Sequence, residues 1–281
     1  MGSSNPSKQV LEAFGIQDEV VPLSGASKRA YLAGSIVLKY SPESTEEEWV
    51  WLSDLLDRTH SDDFRVQKFI KSLESKYLVD GWVTYERLPV EFHNDIIHLR
   101  KKREVLEIFH DAIKDEPLPL HLKSERTDPW GLADYMAWGE MPIKCHERLL
   151  ESIRDLLEYI EPLNLTNQLI QGDPQNILFS ETEPPAMIDL SWHYRPADFS
   201  LAVLAVDVLS CWCKGECTCL NAGEVYTIFE DIIHFDQLLL RATLRRVLEL
   251  EGLRKYDPKY LDSISGLIPA IVFVSARISN V

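Results

Sequence analysis

Two aspartates and one asparagine have the types and spacing to do chemistry together. The run Leu169-Ile170-Gln171-Gly172-Asp173-Pro174-Gln175-Asn176 leads into the apolar Ile177-Leu178-Phe179, and Met187-Ile188-Asp189 follows. The pattern predicts a loop, a strand, a turn and a second strand that deliver two carboxylates and one amide to a common place. Phosphoryl transfer needs such a set: one carboxylate orients the attacking hydroxyl, while the other and the amide oxygen hold Mg2+ against the phosphates. Taken alone, Gly-Asp-x-x-Asn is turn chemistry, because Asp and Asn bond readily to their own backbone. Ile188-Asp189 at this distance is what adds the catalytic reading.

These residues resemble the catalytic and metal loops of the aminoglycoside phosphotransferase branch of the protein-kinase-like superfamily. There the pattern reads His-Gly-Asp, a few residues, Asn, then Ile-Asp on the next strand. Two departures stand out: Gln171 occupies the usual His position, and the step from Asp173 to Asn176 is three residues where the family has five. The resemblance implies that Asp173 positions an acceptor hydroxyl and that Asp189 carries Mg2+ with Asn176 as second ligand. The shorter step re-aims the Asn176 amide, which makes Gln175 a fallback oxygen donor. ATP or GTP would be the co-substrate. The chain is also similar to a bacterial-type subgroup through Ala13-Phe14-Gly15, Ser24 to Ser27, Val37-Leu38-Lys39, Asp80-Gly81-Trp82 and Pro184-Pro185-Ala186-Met187-Ile188-Asp189.

The elements that would position this chemistry are legible upstream. Short β-favouring runs at Val20-Val21-Pro22-Leu23, Ala30-Tyr31-Leu32-Ala33 and Ile36-Val37-Leu38-Lys39-Tyr40 are separated by small turn residues, the signal of hairpins. Residues 45–56 read as a helix, with Thr45 and Glu48 forming a capping box. Further strands are expected at 77–79 and 81–86. In kinase-like proteins a Lys in the place of Lys39 reaches the α- and β-phosphates and is held by a Glu on the next helix. Glu48 has the helical phase for that ion pair, and its capping role competes for the same carboxylate. The hairpin tip, with Gly25, Ser27, Lys28 and Arg29, would lie over the phosphates or be a polar turn. The backbone at Tyr85-Glu86-Arg87-Leu88 falls where such proteins meet adenine, which puts Glu86 in the nucleotide set.

The remainder reads as mainly helical. Helices are expected over 92–115, 146–160, 199–210, 225–240 and 242–250, with a connector through Pro117, Pro119 and 123–129. The expected fold is therefore α+β and two-lobed, protein-kinase-like, with residues 1–88 as an antiparallel-sheet nucleotide lobe and 89–281 as a helical catalytic lobe.

Composition narrows the function classes. A net charge of −16 works against a nucleic-acid partner, which needs clustered Lys and Arg, and is compatible with a cationic small acceptor. The apolar run 201–213 is short and carries Asp207, so it reads as a buried helix and no membrane span is expected. The N-terminus has no signal-peptide core, which makes the cytoplasm the expected location.

Four cysteines, Cys211, Cys213, Cys217 and Cys219, are close enough to chelate a soft metal. Their Cys-x-Cys-x3-Cys-x-Cys spacing is not that of a zinc knuckle, and reduced cysteines at a helix end are the simpler reading. Cys145 reads as packing. His146 and His193 have no nucleophile partner and are expected to be structural. Trp192, Tyr194, Arg195 and Pro196 are expected to wall an acceptor site. Trp130, Trp138, Asp128, Asp134 and Glu140 could line a cation pocket, but helix packing and a solvated face explain them more simply. The function expected is transfer of the nucleotide γ-phosphate to a hydroxyl of a small molecule. The alternative is a catalytically impaired kinase-like module that binds nucleotide or a partner. The acceptor and the oligomeric state are not encoded in any of these features.

Overall fold

β-branched and aromatic runs broken by small turn residues fold the N-terminal part into an antiparallel sheet. In the structure, a computed structural model that describes residues 5–23, 29–59, 61–119, 126–210 and 220–279, the chain divides into two compact units. The first gathers Met1–Phe92 with Ile177–Asp189, and the second gathers His93–Asn176 with Leu190–Val281. The strand pair that precedes Asp189 thus belongs to the first unit.

In the first unit, strands β1 (Val20–Pro22), β2 (Ala30–Ala33), β3 (Ile36–Tyr40), β5 (Phe69–Ile70) and β6 (Trp82–Glu86) form a sheet in the order β1-β2-β3-β6-β5. One face of the sheet presents Tyr31, Ala33, Leu38 and Trp82, which pack with Val10, Phe14 and Ile16 at and beyond helix α1 (Lys8–Ala13). Each of the large side chains in this cluster contributes about 1.5–3 kcal/mol by leaving water. Helix α2 (Glu46–Arg58) begins where Thr45 accepts from the Glu48 N–H and Glu48 accepts from the Thr45 N–H, and it buries Leu52, Leu55 and Leu56.

A second small sheet has the order β4-β9-β8, from β4 (Arg65–Val66), β8 (Ile177–Leu178) and β9 (Ala186–Met187). Arg65 pairs in parallel with Ala186, and its side chain is ion-paired to Glu183. Residues 77–79 are not a strand: Val79 makes only an isolated bridge to Trp82. Asp80 and Gly81, both at positive φ, turn the chain there.

The second unit is built on helices α3 (Ile96–Ile113), α4 (Pro129–Ala137), α5 (Glu147–Leu157), α6 (Ala197–Leu209), α7 (Ala222–Thr227), α8 (Phe235–Leu253) and α9 (Ile264–Ile278), with one antiparallel pair of β7 (Gln168–Gln171) and β10 (Trp192–Arg195). Helix α6 is apolar on all sides and buried from Phe199 to Leu209, the expected fate of such a helix. One expectation is corrected. Residues 225–250 do not break near 241: α8 runs unbroken through it, and the break lies before His234, which has positive φ. Helix α4 starts where the expected connector ends, and its Pro129, at the first turn, is packed so closely on Gly252 that a Cβ there would clash with the proline ring.

Pro258–Ile278 is also long and apolar enough, by length and composition, to cross a membrane, a stretch outside the apolar run weighed from the sequence. Its Leu267, Ala270 and Val274 are buried in the second unit.

Candidate active site

The first unit brings Lys39 and Asp189 together. Lys39 stands on the central strand β3, opposite Val83 and Ala30, and its ammonium is paired with the carboxylate of Asp189. Burial works against the Lys39 charge, but Asp189 and the neighbouring Tyr85 outweigh it and hold its proton above the ordinary lysine range. Asp189 sits in the left-handed region at φ 48°, a conformation Asp tolerates better than most residues, and its N–H donates to Gln67 Oε1 at 2.8 Å. Backbone strain of this kind gathers at functional positions.

Glu48 is not the partner of Lys39 in this structure, since its carboxylate closes the capping box on Thr45. Its neighbour Glu46 is also engaged, accepting from the N–H groups of Tyr77 and Leu78 at 2.9 and 2.7 Å. The Glu86 side chain is exposed, and its N–H donates to the Lys68 carbonyl at 3.0 Å. Gly25 and Ser27 lie outside the described residues, as do Cys211, Cys213, Cys217 and Cys219.

The second unit holds the loop with Asp173. Strand β7 ends at Gln171, which is fully buried where the resembling proteins carry His. Its side-chain oxygen accepts from the Asp173 N–H at 3.2 Å and the Ser191 N–H at 2.8 Å. One amide oxygen therefore ties the loop to the segment that follows Asp189. Its own N–H donates to Nε2 of His110, a ring that burial depresses to about 3 and so keeps neutral. Gly172 is needed for space, because a Cβ there would clash with the His193 ring. Pro174–Asn176 make one 3-10 turn, closed by the Asn176 N–H on the Asp173 carbonyl at 3.1 Å. Asn176 Nδ2 is 3.5 Å from Asp173 Oδ2. Gln175 is not a fallback metal donor, because its oxygen accepts from buried Lys102 at 2.6 Å.

Sequence reasoning missed what lies beneath this loop. Two consecutive arginines on α8 hold it from below. Arg245 Nη1 donates to the Gly172 carbonyl at 2.8 Å, and Arg246 Nη2 donates to Asp173 Oδ1 at 2.9 Å. Arg246 is buried and also bonds Asp207, at 2.7 and 2.6 Å, and Glu249. Burial opposes its charge, but Asp207, Glu249 and Asp173 hold its proton well above the ordinary arginine range. Burial likewise pushes Asp207 up to about 6 despite the arginine beside it. Charged residues inside a long helix carry no sequence mark of their depth, so only the pairing of 207 with 246 could have signalled this.

His193 is structural, as expected: burial and Arg245 depress it to about 4, and it sits between Gly172 and Asp134. His146 caps α5, its Nδ1 accepting from the Arg148 N–H at 3.2 Å. A cavity of about 290 Å³ in the second unit is lined by Tyr135, Glu140, Asn167, Trp192, Tyr194 and Arg195, among others. Asp134 and Glu140 do not present carboxylates to a cation there, because both are engaged by Arg195 at 2.5–2.8 Å. Trp138 packs edge-on against Phe199 and under Arg195 and Arg241.

His93, Asp95 and His98 offer ligand atoms within 4.8 Å of one another. The two imidazoles are stacked 4.3 Å apart at 11°, and parallel planes share no in-plane point where one ion could take both nitrogens.

The donor chemistry suits Mg2+ in the first unit. Asp189 presents half-exposed carboxylate oxygens that already face a cation, and hard oxygen donors are what Mg2+ takes.

The sequence matches no family model and no curated protein. Solved structures do match along the whole chain. A microcompartment-associated aminopropanol kinase superposes with a TM-score of 0.64 at 14% identity, covering 97% of this chain and 96% of that one. Choline kinase LicA from Streptococcus pneumoniae gives a TM-score of 0.59 at 14% identity, covering 92% and 93%. Spectinomycin phosphotransferase APH(9)-Ia, in complex with ADP and spectinomycin, gives 0.58 at 14% identity, covering 98% and 97%. At this identity the likeness is one of architecture. The chain has the protein-kinase-like fold shared by the aminoglycoside phosphotransferases and the choline and aminopropanol kinases.

Proposed function

We propose that this protein is a Mg2+-dependent phosphotransferase that moves the γ-phosphate of ATP or GTP to a hydroxyl of a small molecule. The observation that carries the reading is the Lys39–Asp189 pair in a chain of this fold, since the pair joins the phosphate-binding lysine to the metal-binding carboxylate. A bound Mg2+ would supply positive charge to offset the charge that develops on the phosphates during transfer. Asp189 and Asn176 are its proposed ligands. Lys39 steadies the nucleotide phosphates, and the backbone at Glu86 meets the base. Asp173 accepts the hydrogen bond of the acceptor hydroxyl and orients it for in-line attack, so little covalent chemistry is asked of the protein.

The acceptors named for the similar structures are spectinomycin, choline and aminopropanol. These names support an alcohol as the acceptor class, and an amino alcohol is the first to test. A nucleotide-dependent kinase of this kind works in the cytoplasm.

A second reading is a module that binds nucleotide without turnover. The short 3-10 turn between Asp173 and Asn176 favours it, because it leaves less chain to aim the Asn176 amide.

Titration calorimetry with Mg·ATP and a coupled ADP-release assay against a panel of alcohols separate the two. Asp173→Ala should keep nucleotide affinity within about threefold and lose turnover by at least about 100-fold. Asp189→Ala should lose Mg2+-dependent binding itself. Unchanged affinity in that variant would remove Asp189 from the metal site.

A further inference from the structure

We infer that Arg246, far along the chain from the Asp173 loop, is a positioning residue for Asp173 and does the work of the two residues by which this loop is short. The inference rests on the reading of Asp173 as the residue that orients the acceptor.

Three observations carry it. First, Arg246 reaches Asp173 Oδ1 at 2.9 Å, whereas Asn176 reaches the other oxygen only at 3.5 Å. The arginine is the stronger restraint on the carboxylate, and it occupies one oxygen only. The Oδ2 side is the one left to face a hydroxyl.

Second, Arg246 cannot swing. Its Nε and Nη2 are bonded to Asp207 at 2.7 and 2.6 Å, and Nη1 to Glu249 at 3.0 Å. A planar fork fixed on two buried carboxylates presents its remaining N–H in one direction. Asp207 is itself fixed within helix α6, which is buried from Phe199 to Leu209.

Third, the neighbouring residue Arg245 takes the loop's main chain through the Gly172 carbonyl at 2.8 Å. One helix therefore fixes both the backbone and the carboxylate of the residue pair that bears the chemistry. A misplacement of the orienting group by about 1 Å costs roughly 100-fold in rate, so such a restraint has kinetic consequences.

Arg246→Ala alone would strand two buried carboxylates and could fail to fold. The test variant is the double change Arg246→Met with Asp207→Asn. It removes the arginine and its deepest counter-ion together and leaves Glu249 ion-paired with Arg245. Arg246→Lys is the second variant, which keeps the charge but has no fork to serve Asp207 and Asp173 at once.

Both are measured by melting temperature, by Mg·ATP affinity, by kcat and KM on the best alcohol, and by amide hydrogen exchange over residues 171–176. A positioning role gives a folded double variant with nucleotide affinity within about threefold, kcat lower by roughly 100-fold and faster exchange confined to 171–176. The lysine variant should fall between it and the parent. A folded double variant with kcat within about threefold, or with unaltered exchange in the loop, would overturn the inference. Should the parent protein turn over no alcohol at all, the kinase reading falls on that result, while the exchange measurement still decides whether Arg246 orders the Asp173 loop.

Discussion

The ammonium of Lys39 is ion-paired with the carboxylate of Asp189, and Glu48 takes no part in that pair. In this structure the lysine is held by Asp189, and the helix glutamate serves its own helix. Glu48→Ala should then cost about 1 kcal/mol of stability, the ordinary loss of a cap interaction, and leave Mg·ATP affinity unchanged. Urea denaturation and calorimetry on the same preparation check both halves. A tenfold loss of affinity would restore Glu48 to the nucleotide site.

Gln171 commits its side-chain oxygen to two N–H groups, those of Asp173 and Ser191. Gln171→Leu is close in size and removes the acceptor together with a buried amide nitrogen that has no hydrogen-bond partner among the described residues. Each stranded donor costs about 1–3 kcal/mol, so a loss of roughly 2–4 kcal/mol is expected in urea unfolding. A change under about 1 kcal/mol would mean that water replaces the amide and that the tie is dispensable.

Gly172 is defended by a neighbouring ring. Its φ is not among the positive ones, but a Cβ would press on His193. Gly172→Ala should therefore destabilise by about 1–3 kcal/mol through overpacking. His193→Ala in the same chain should recover part of that loss, measured as a double-mutant cycle. Strict additivity of the two changes would show that the ring is not what excludes the methyl group.

His110 and His193 are held neutral, by burial alone in the first case and by burial with Arg245 in the second. Their folded values of about 3 and about 4 lie below the ordinary histidine value of 6.5. The unfolded chain then binds more protons in acid, so the stability these rings confer is complete above pH ~6.5 and is lost as pH falls toward ~4. The slope contributed by each is at most about 1.4 kcal/mol per pH unit. Denaturation midpoints taken between about pH 7.5 and 5 give that slope, and ring proton signals should stay fixed over the same range. Either ring titrating near pH ~6 would contradict its burial.

Much of this was legible in the chain because it is local. Thr45 and Glu48 announce the start of α2 by spacing alone, and the unbroken apolar stretch after Pro196 announces a buried helix. The expectation for Asp173 and Asp189 rests on local pattern as well, each lying at the end of a short apolar run. What failed was non-local or ambiguous. Arg241 looks like a helix boundary, yet it bonds Gln237 and the Glu161 carbonyl and packs over Trp138, so α8 continues through it. Pro129 reads as a breaker but serves as a helix start. The strand at Arg65–Val66 is only two residues long and exists because Ala186–Met187 lies beside it, which no window of sequence can contain. Arg246 is hidden for the same reason: its meaning depends on Asp173 and Asp207, residues that are distant in the chain.

The membership of residues 177–189 in the first unit has a consequence for how the protein is made. The partner strand of Arg65–Val66 and the carboxylate that Lys39 holds both leave the ribosome roughly a hundred residues after Phe92. At about 5–20 residues per second, β4 must wait roughly 5–20 s during synthesis without its partner strand, and Lys39 without its counter-ion. The nascent chain should therefore be most vulnerable to chaperone capture and protease in that interval, and a fragment that stops at Phe92 should behave as a permanently arrested version of it.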